Sequence, residues 1–460
     1  MIISPNGLDS LRELIGSWCQ AHMRVSDLAD AEQMAEEIRR LCGDVVFQQA
    51  LLQIGRKATY QGTSIACSNP SCNEQARFVS YRSRWVKTAC AEAQVERAYY
   101  HCGACKTGQI PWDQAQGLND RIYTPALKAT VADVMGRLSY GEGVDLLDRL
   151  GVVKLEESTA EDIVLEVGER LRKEEAQRIE DLKAQSLQAL ATHLMCDSAH
   201  EGPSSPQDQN SVRAVQGKRL YAAMDATTAH IGGGWHNVQV GVLFTVRADK
   251  DDRDTLWERS YVSARTNVEA FGWKLKSRAA EWNQGSYTET VFLGDGAPCN
   301  WNQASLHFPS ATQILDIFHV SEHLWALSRA LYRQDDPKDK ARGDRWVKER
   351  IDSLKKDGPG ALLRALKRRR PKTAEQREAL RKETGYFSTN RRRMNYPKYL
   401  ADGMMIGSGP VEAACKVVVG QRMKQSGMRW SDSGADAMLA VRACVLNQDY
   451  DKLQKMARAA

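Results

Sequence analysis

Apolar and polar positions divide the chain into stretches of different period. Over residues 8–58 apolar side chains recur at helical spacing, with Leu8, Leu11, Ile15 and Trp18 on one face. In the next segment acids come first and Arg39 and Arg40 last, the order a helix dipole favours. Residues 1–60 are therefore read as a helical module, compatible with DNA contact, dimerisation or packing. Between 61 and 115 the period shortens: FVSYRSRWVKT and VERAYYHC predict a hairpin. Residues 116–196 return to helical spacing through Leu127, Val131, Val134 and Leu138, with Pro125 suited to a first turn. A short helix ending at Gly151 follows, and Ser158 to Glu161 reads as a capping box opening a long third helix. That makes a helix-turn-helix-like domain. The acids Glu161, Asp162, Glu166 and Glu169 suit a major groove poorly, so a scaffold or dimer element fits equally well. Residues 197–212 are polar and rich in Ser and Pro, as in a linker.

From 213 to 332 the runs become strand-like. An apolar run ends on Asp225, VQVGVLFTV follows, and a third strand is expected at 255–265. A helix capped by Asn267 comes next, then a strand at 290–295 ending in Asp295, and a helix near Cys299 to His307. A strand at 311–317 carries Asp316 and leads into a helix carrying His319. Three strands, helix, strand, helix, strand, helix is the order of a ribonuclease-H-like α/β core, a meander that gives way to parallel strands joined by crossovers. Residues 333–403, broken by Pro337, Pro359 and Pro371, read as an all-α insertion. Residues 404–460 supply the last core helices, the first of which carries Glu412. The expected fold class is multidomain: a ribonuclease-H-like core with a helical insertion, behind a helical N-terminal region, a zinc ribbon and a helix-turn-helix-like domain.

Composition sharpens this picture at two places. The chain of 460 residues carries a net charge of +6, but residues 338–398 hold 21 Lys/Arg against 8 Asp/Glu, so this block is +13 and the remainder −7. Such a block points to a polyanion, most simply nucleic acid. Arg368, Arg369, Arg370, Arg391, Arg392 and Arg393 are its candidate DNA contacts, and Arg77, Arg82, Arg84 and Lys87 on the hairpin also suit phosphate. The eleven cysteines include Cys67-x4-Cys72 and, after 29 residues, Cys102-x2-Cys105. Two chelating pairs on a hairpin predict a structural Zn²⁺ held by four thiolates, with Cys90 or His101 as replacement ligands. No run approaches the ~20 apolar residues a bilayer requires, and the N-terminus lacks the basic and apolar regions of a leader. A cytoplasmic location and no membrane partner are expected.

Phosphodiester chemistry uses two divalent cations ~3.5–4 Å apart, held by hard oxygen ligands. In the expected core, acids on the first strand, at the end of the fourth strand and on the last helix would converge. Asp225, Asp295 and Glu412 hold those stations and predict a site for two Mg²⁺ or Mn²⁺ ions. Asp316 and His319 would assist, by positioning DNA or the scissile phosphate. Gly407, Ser408 and Gly409, at a helix start, would favour phosphate. Arg422, Lys424 and Arg429 would clamp phosphate, with Trp430 stacking on a base or sugar.

The motifs MDATTAH, FLGDGAPCNW, ILDIFHVSEHLW, IGSGPVEAACK and RMKQSGMRWS resemble those of the ISKra-type bacterial insertion-sequence transposases, relatives of the Mutator-like group. The resemblance covers most of residues 60–447. It implies a DDE triad carried over as Asp225, Asp295 and Glu412, with the helical insertion between the second and third acids. Asp316-x2-His319 resembles the signature that accompanies the triad in Mutator-like enzymes. The implied activity is metal-dependent cleavage and strand transfer of double-stranded DNA, at terminal inverted repeats and a target. It would be carried out by a homodimer or higher oligomer in the bacterial cytoplasm, on the nucleoid when bound. A structure-specific nuclease on the same fold and a catalytically silent DNA-binding descendant are the rival expectations.

Overall fold

The computed structural model describes residues 5–118, 122–196, 219–248, 254–282 and 287–458. The linker expected at 197–212 lies outside them. The chain divides into two units. One comprises residues up to Lys128 with Leu147–Lys154; the other comprises Ala129–Leu146 and the chain from Leu155 on.

In the first unit, helices α1 (Pro5–His22) and α2 (Leu28–Thr59) precede a four-stranded antiparallel sheet. Its strands are β1 (Ser64–Ala66), β2 (Gln75–Lys87), β3 (Glu92–Cys102) and β4 (Gly108–Gln109) in that order. The long pair β2–β3 runs in register from Ala76 opposite Cys102 to Lys87 opposite Glu92, with a bulge between Phe78 and Ser80. Ala76, Ala98, Tyr100 and Cys102 are the core at one end of the hairpin, and Phe78, Tyr81 and three further cysteines pack on it. Val86, Val95 and Leu118 form the core at the other end. Short helix α3 (Pro111–Ala115) places the buried Asp113 where it accepts from Arg97 Nε and Nη2, at 2.8 and 3.0 Å, and from Arg84 at 3.1 Å. Arg84 is therefore used internally, which removes it from the expected phosphate contacts, while Lys87 pairs with the exposed Glu92 at 2.7 Å.

Helices α4 (Pro125–Arg137), α5 (Tyr140–Arg149) and α6 (Glu157–Cys196) follow. The expected capping box at Ser158 does not form: α6 begins one residue earlier, and the Ala160 amide already bonds the Glu156 carbonyl. Glu156 and Glu157 at the start suit the helix dipole without a hydroxyl cap.

The second unit is built on a five-stranded sheet, β5 (Arg219–Ile231), β6 (Gly234–Ala248), β7 (Asp254–Ala264), β8 (Glu289–Gly294) and β9 (Thr312–Leu315). Their spatial order is β7-β6-β5-β8-β9; β5–β6 and β6–β7 are antiparallel, whereas β5–β8 and β8–β9 are parallel. The crossovers are α7 (Val268–Glu281) and α8 (Pro298–His307), and the Asn267 side chain caps α7 through the Ala270 amide, as the sequence predicts. The first strand does not end at Asp225. It continues to Ile231, because Gly232 and Gly233 adopt φ of 57° and 85° and close a tight hairpin with β6. The last strand is shorter than expected, since Asp316 leaves the sheet to cap α9 (Ile317–Leu331).

The insertion is helical among its described elements: α10 (Pro337–Asp357), α11 (Pro359–Lys367), α12 (Ala374–Thr389) and α13 (Tyr396–Ala401). Each proline expected to break it opens a helix or lies between two. The chain then returns through α14 (Gly409–Ala414), a π-helical turn at Cys415–Gly420, α15 (Gln421–Met423), α16 (Asp432–Leu446) and α17 (Tyr450–Arg458). Helix α16 lies against α6, where an added Cβ at Gly168 would stand 2.6 Å from the Ala437 backbone, so only glycine permits that approach. No helix among the described residues is long and apolar enough to cross a membrane.

Candidate functional site

Two groups of chemistry-bearing side chains stand out, one in each unit. In the first unit Cys67, Cys72, Cys102 and Cys105 bring their sulfurs within 4.8 Å of one another. Cys67 and Cys105 are 3.4 Å apart, and Cys72 and Cys102 are 3.8 Å apart. Zn–S bonds of about 2.3 Å at tetrahedral angles require edges of about 3.8 Å, a span these two separations and the 4.8 Å bound on the four sulfurs accommodate. The Thr107 hydroxyl and then its amide hold the Cys105 thiol down to about 6, whereas, against the Asn69 and Glu74 backbone bonds, burial and the neighbouring sulfurs raise Cys67 and Cys72. The thiols therefore share their protons until a cation displaces them. Cys90, weighed as a replacement ligand, is exposed and bonds to Thr88 instead. This cluster could hold a metal such as zinc.

In the second unit, parallel pairing sets Ala223 on β5 opposite Leu293 on β8. Two residues further along, Asp225 still lies within β5 and Asp295 just past the end of β8, near enough for its charge to act on Asp225. Gly294 and Gly296 flank Asp295 for steric reasons. A Cβ on Gly294 would meet the Trp301 ring at 2.8 Å, and Gly296 has φ of 98°. Asp295 Oδ1 accepts from the Ala297 amide at 2.9 Å and from Asn300 Nδ2 at 3.0 Å. Asp225 Oδ1 accepts from the Ala226 amide at 2.7 Å, and the Cys415 thiol lies 3.9 Å from Oδ2. Burial, with Asp295 adding to it, raises the Asp225 carboxyl above the ordinary range; the Ala226 amide and His319 oppose the shift. Burial and the nearby Asp225 push the Cys415 thiol up to about 12, so it sits neutral beside the acid.

Glu412, exposed in the first turn of α14, groups with a different pair. Its carboxylate, Asp316 and His319 bring one ligand atom each within 4.8 Å of one another. The three acids expected to converge are thus arranged as Asp225 with Asp295, and Glu412 with His319, among the described residues. His319 connects the sets electrostatically. Asp316 is fully buried and saturated. Oδ1 accepts from the Phe318 and Ser408 amides, at 3.1 and 2.9 Å, and Oδ2 from the His319 amide and the Ser408 hydroxyl, at 3.2 and 2.8 Å. It caps α9 and ties down the turn before Glu412, leaving no lone pair for a cation. The same bonds consume the Ser408 groups that were expected to face phosphate.

The basic residues divide by burial. Arg368, Arg370, Arg391, Arg392, Lys424 and Arg429 are exposed, and Lys424 Nζ donates to Thr227 Oγ1 at 2.6 Å, on the strand that carries Asp225. The others serve packing. Arg369 lies 4.7 Å over the Trp346 ring and donates to the Tyr332 hydroxyl at 2.7 Å. Arg393 lies 4.4 Å over Trp301 and donates to Gln313 at 2.8 Å. The clamp expected of Arg422 and Trp430 is corrected most sharply. Arg422 is 0% exposed, lies between the Tyr140 and Trp430 rings at 5.1 and 5.0 Å, and donates to the Met135 carbonyl at 2.8 Å. Burial pulls its pKa to about 10, which leaves it charged at neutral pH. Trp430 donates through Nε1 to Met423 and extends the β5 hairpin by backbone bonds to His230 and Gly232. Sequence patterning gave no signal for Tyr386, which reaches this site from α12 and donates to the Asp295 carbonyl at 2.9 Å.

A comparison with protein-family models finds no match for this chain. A comparison with curated proteins finds none either.

Proposed function

We propose that the protein is a DDE-type DNA transposase whose ribonuclease-H-like core cuts and joins strands at the ends of its element. The observation that carries this reading is the nearness of Asp225, within β5, to Asp295, just past the end of the parallel neighbour β8, with His319 acting on Asp225 and grouping with Glu412. The strand order β7-β6-β5-β8-β9, antiparallel then parallel, is the one expected of such a core. The insertion between the second and third acids and its exposed arginines agree with a polyanionic substrate.

The donor set fits hard divalent cations. Among the described contacts, Asp225 Oδ2 faces only the Cys415 thiol, and the exposed Glu412 carboxylate is available. Burial raises Asp225 and the Asp295 charge adds to it, and a cation would relieve both by supplying positive charge to the buried carboxylate. Asp225, Asp295 and Glu412 would hold Mg²⁺ or Mn²⁺, with His319 adjoining. Bound there, the cations would activate the attacking oxygen and stabilise the leaving one. The chain's own groups do the rest: Asp316 and Ser408 fix the approach of α14, and Arg368, Arg370, Arg391, Arg392, Lys424 and Arg429 contact backbone phosphates. The cysteine cluster would hold structural Zn²⁺. Joining two DNA ends requires at least two copies of the chain.

The test uses labelled duplexes carrying the inverted repeats that flank the gene. Asp225→Ala, Asp295→Ala and Glu412→Ala are expected to abolish Mg²⁺-dependent nicking and strand transfer while gel-shift binding persists. Full activity in Glu412→Ala refutes the assignment. Cutting of branched DNA without preference for repeat ends would instead identify a nuclease, and binding without cleavage a silent descendant.

A further inference from the structure

The return leg of the helical insertion grips the ends of both strands that lead into the acidic site. Tyr386 on α12 donates to the Asp295 carbonyl at 2.9 Å. Arg393 lies over Trp301, which itself covers Gly294, and donates to Gln313 on β9. The buried Tyr396 donates to the Leu315 carbonyl at 2.8 Å, one residue before Asp316. These are three separate pins from one stretch of eleven residues, Tyr386 to Tyr396, onto the segments on either side of Asp295 and Asp316.

Tyr386 is held with more care than a surface contact requires. Its ring stacks on His323 at 3.7 Å and 18°, and His323 Nδ1 lies 2.5 Å from the buried Glu383 carboxylate. Glu383 and Tyr386 share α12, whereas His323 lies one turn beyond His319 on α9. The left-handed Gly296 makes room for the phenol, since a Cβ there would stand 2.5 Å from the Tyr386 hydroxyl. Glu383 and His323 thus fix the ring, and the ring fixes the peptide of Asp295.

We infer that Tyr386 is a positioning residue for Asp295, through which seating of the helical insertion sets how tightly the acidic pair binds divalent cations. This rests on the reading of Asp225 and Asp295 as cation ligands. The peptide that Tyr386 holds is the one whose side chain must meet the cation, so a loop released from the phenol spreads over more conformers. Binding must then order it again, and affinity falls. Conversely, cation binding at the acids steadies the insertion, because linkage between two sites is reciprocal.

The test is Mn²⁺ binding by the full-length protein, read from the loss of the free-ion EPR signal, with thermal unfolding measured in parallel. Tyr386→Phe keeps the ring and its stacking and deletes one hydrogen bond. It is expected to bind Mn²⁺ about fivefold more weakly, the scale of one net hydrogen bond, with little change in Tm. Glu383→Gln, which keeps the shape but loosens the His323 support, is expected to move affinity the same way by less. Unchanged Mn²⁺ affinity in Tyr386→Phe, or a lowered Tm with no change in affinity, overturns the inference while leaving the acidic site intact. Absence of Mn²⁺ binding in the unaltered protein, or its persistence in Asp295→Asn, overturns the site and this inference with it.

Discussion

Replacing Cys67 by serine is expected to open one end of the hairpin unit and leave the other folded. The magnitude follows from how little else holds that end. Strand β1 contributes three paired positions and β4 two, whereas β2–β3 has eleven. Pairings that short are not stable by themselves. Four of the residues around the Tyr100 core are the cysteines themselves, so without a bound ion the cluster lacks a centre. Structural zinc supplies apparent folding free energies of about 10–16 kcal/mol in zinc-finger peptides at neutral pH, far more than two short ladders can replace. Two amides report the event: Cys67 N–H bonds to the Glu74 carbonyl at 3.0 Å, and Cys102 N–H to the Thr107 carbonyl at 2.9 Å. In the reduced, unaltered protein, thiol modification is expected to release one Zn²⁺ per chain into a colorimetric chelator. In Cys67→Ser, hydrogen exchange at these amides and in β1 and β4 is expected to approach the free-peptide rate, while the middle of β2–β3 stays protected. A metal-free reduced protein with protected β1 and β4 refutes the reasoning.

Three other outcomes follow from the second unit. Arg422→Ala is expected to cost about 3 kcal/mol in chemical denaturation, from a lost charge-assisted hydrogen bond and two emptied ring contacts, and Arg422→Lys recovers little of it. An unchanged midpoint would contradict the burial described. Alanine at Arg368, Arg370, Arg391 or Arg392 is expected to reduce the salt slope of DNA binding by about 0.9 per contact removed. By contrast, Arg369→Ala and Arg393→Ala lower Tm, because those two side chains pack on Trp346 and Trp301; the reverse pattern would invalidate the sorting. In the presence of chelator, Asp225→Asn is expected to raise Tm at pH 7. The folded-state pKa of Asp225 lies above its unfolded value, so its favourable contribution exists below the ordinary carboxylate range and is lost as pH rises through the raised value. The advantage of the variant therefore shrinks toward pH ~4, and a pH-independent difference would count against the shift.

The order of elements was largely legible in the chain because it rests on local periodicity. Alternation in β2 and β3, the run into Asp225, the Asn267 cap and the prolines at helix starts all act over a few residues. The two cysteine pairs were legible for a related reason: chelation demands short spacing, and their long-range convergence follows from the hairpin between them. Tertiary structure alone decided what depends on contacts distant in sequence. Asp225 lies within its strand rather than at its end because a glycine hairpin seven residues later closes onto β6. Asp316 became a saturated cap because Ser408, far along the chain, brought it two further donors. Arg422, Arg393 and Arg369 look no different in the sequence from their exposed neighbours. An arginine suits a phosphate and an aromatic cage equally well, and only the folded chain shows which one faces it. The same holds for Tyr386, whose hydroxyl meets the Asp295 peptide across 91 residues, a separation at which periodicity carries no information.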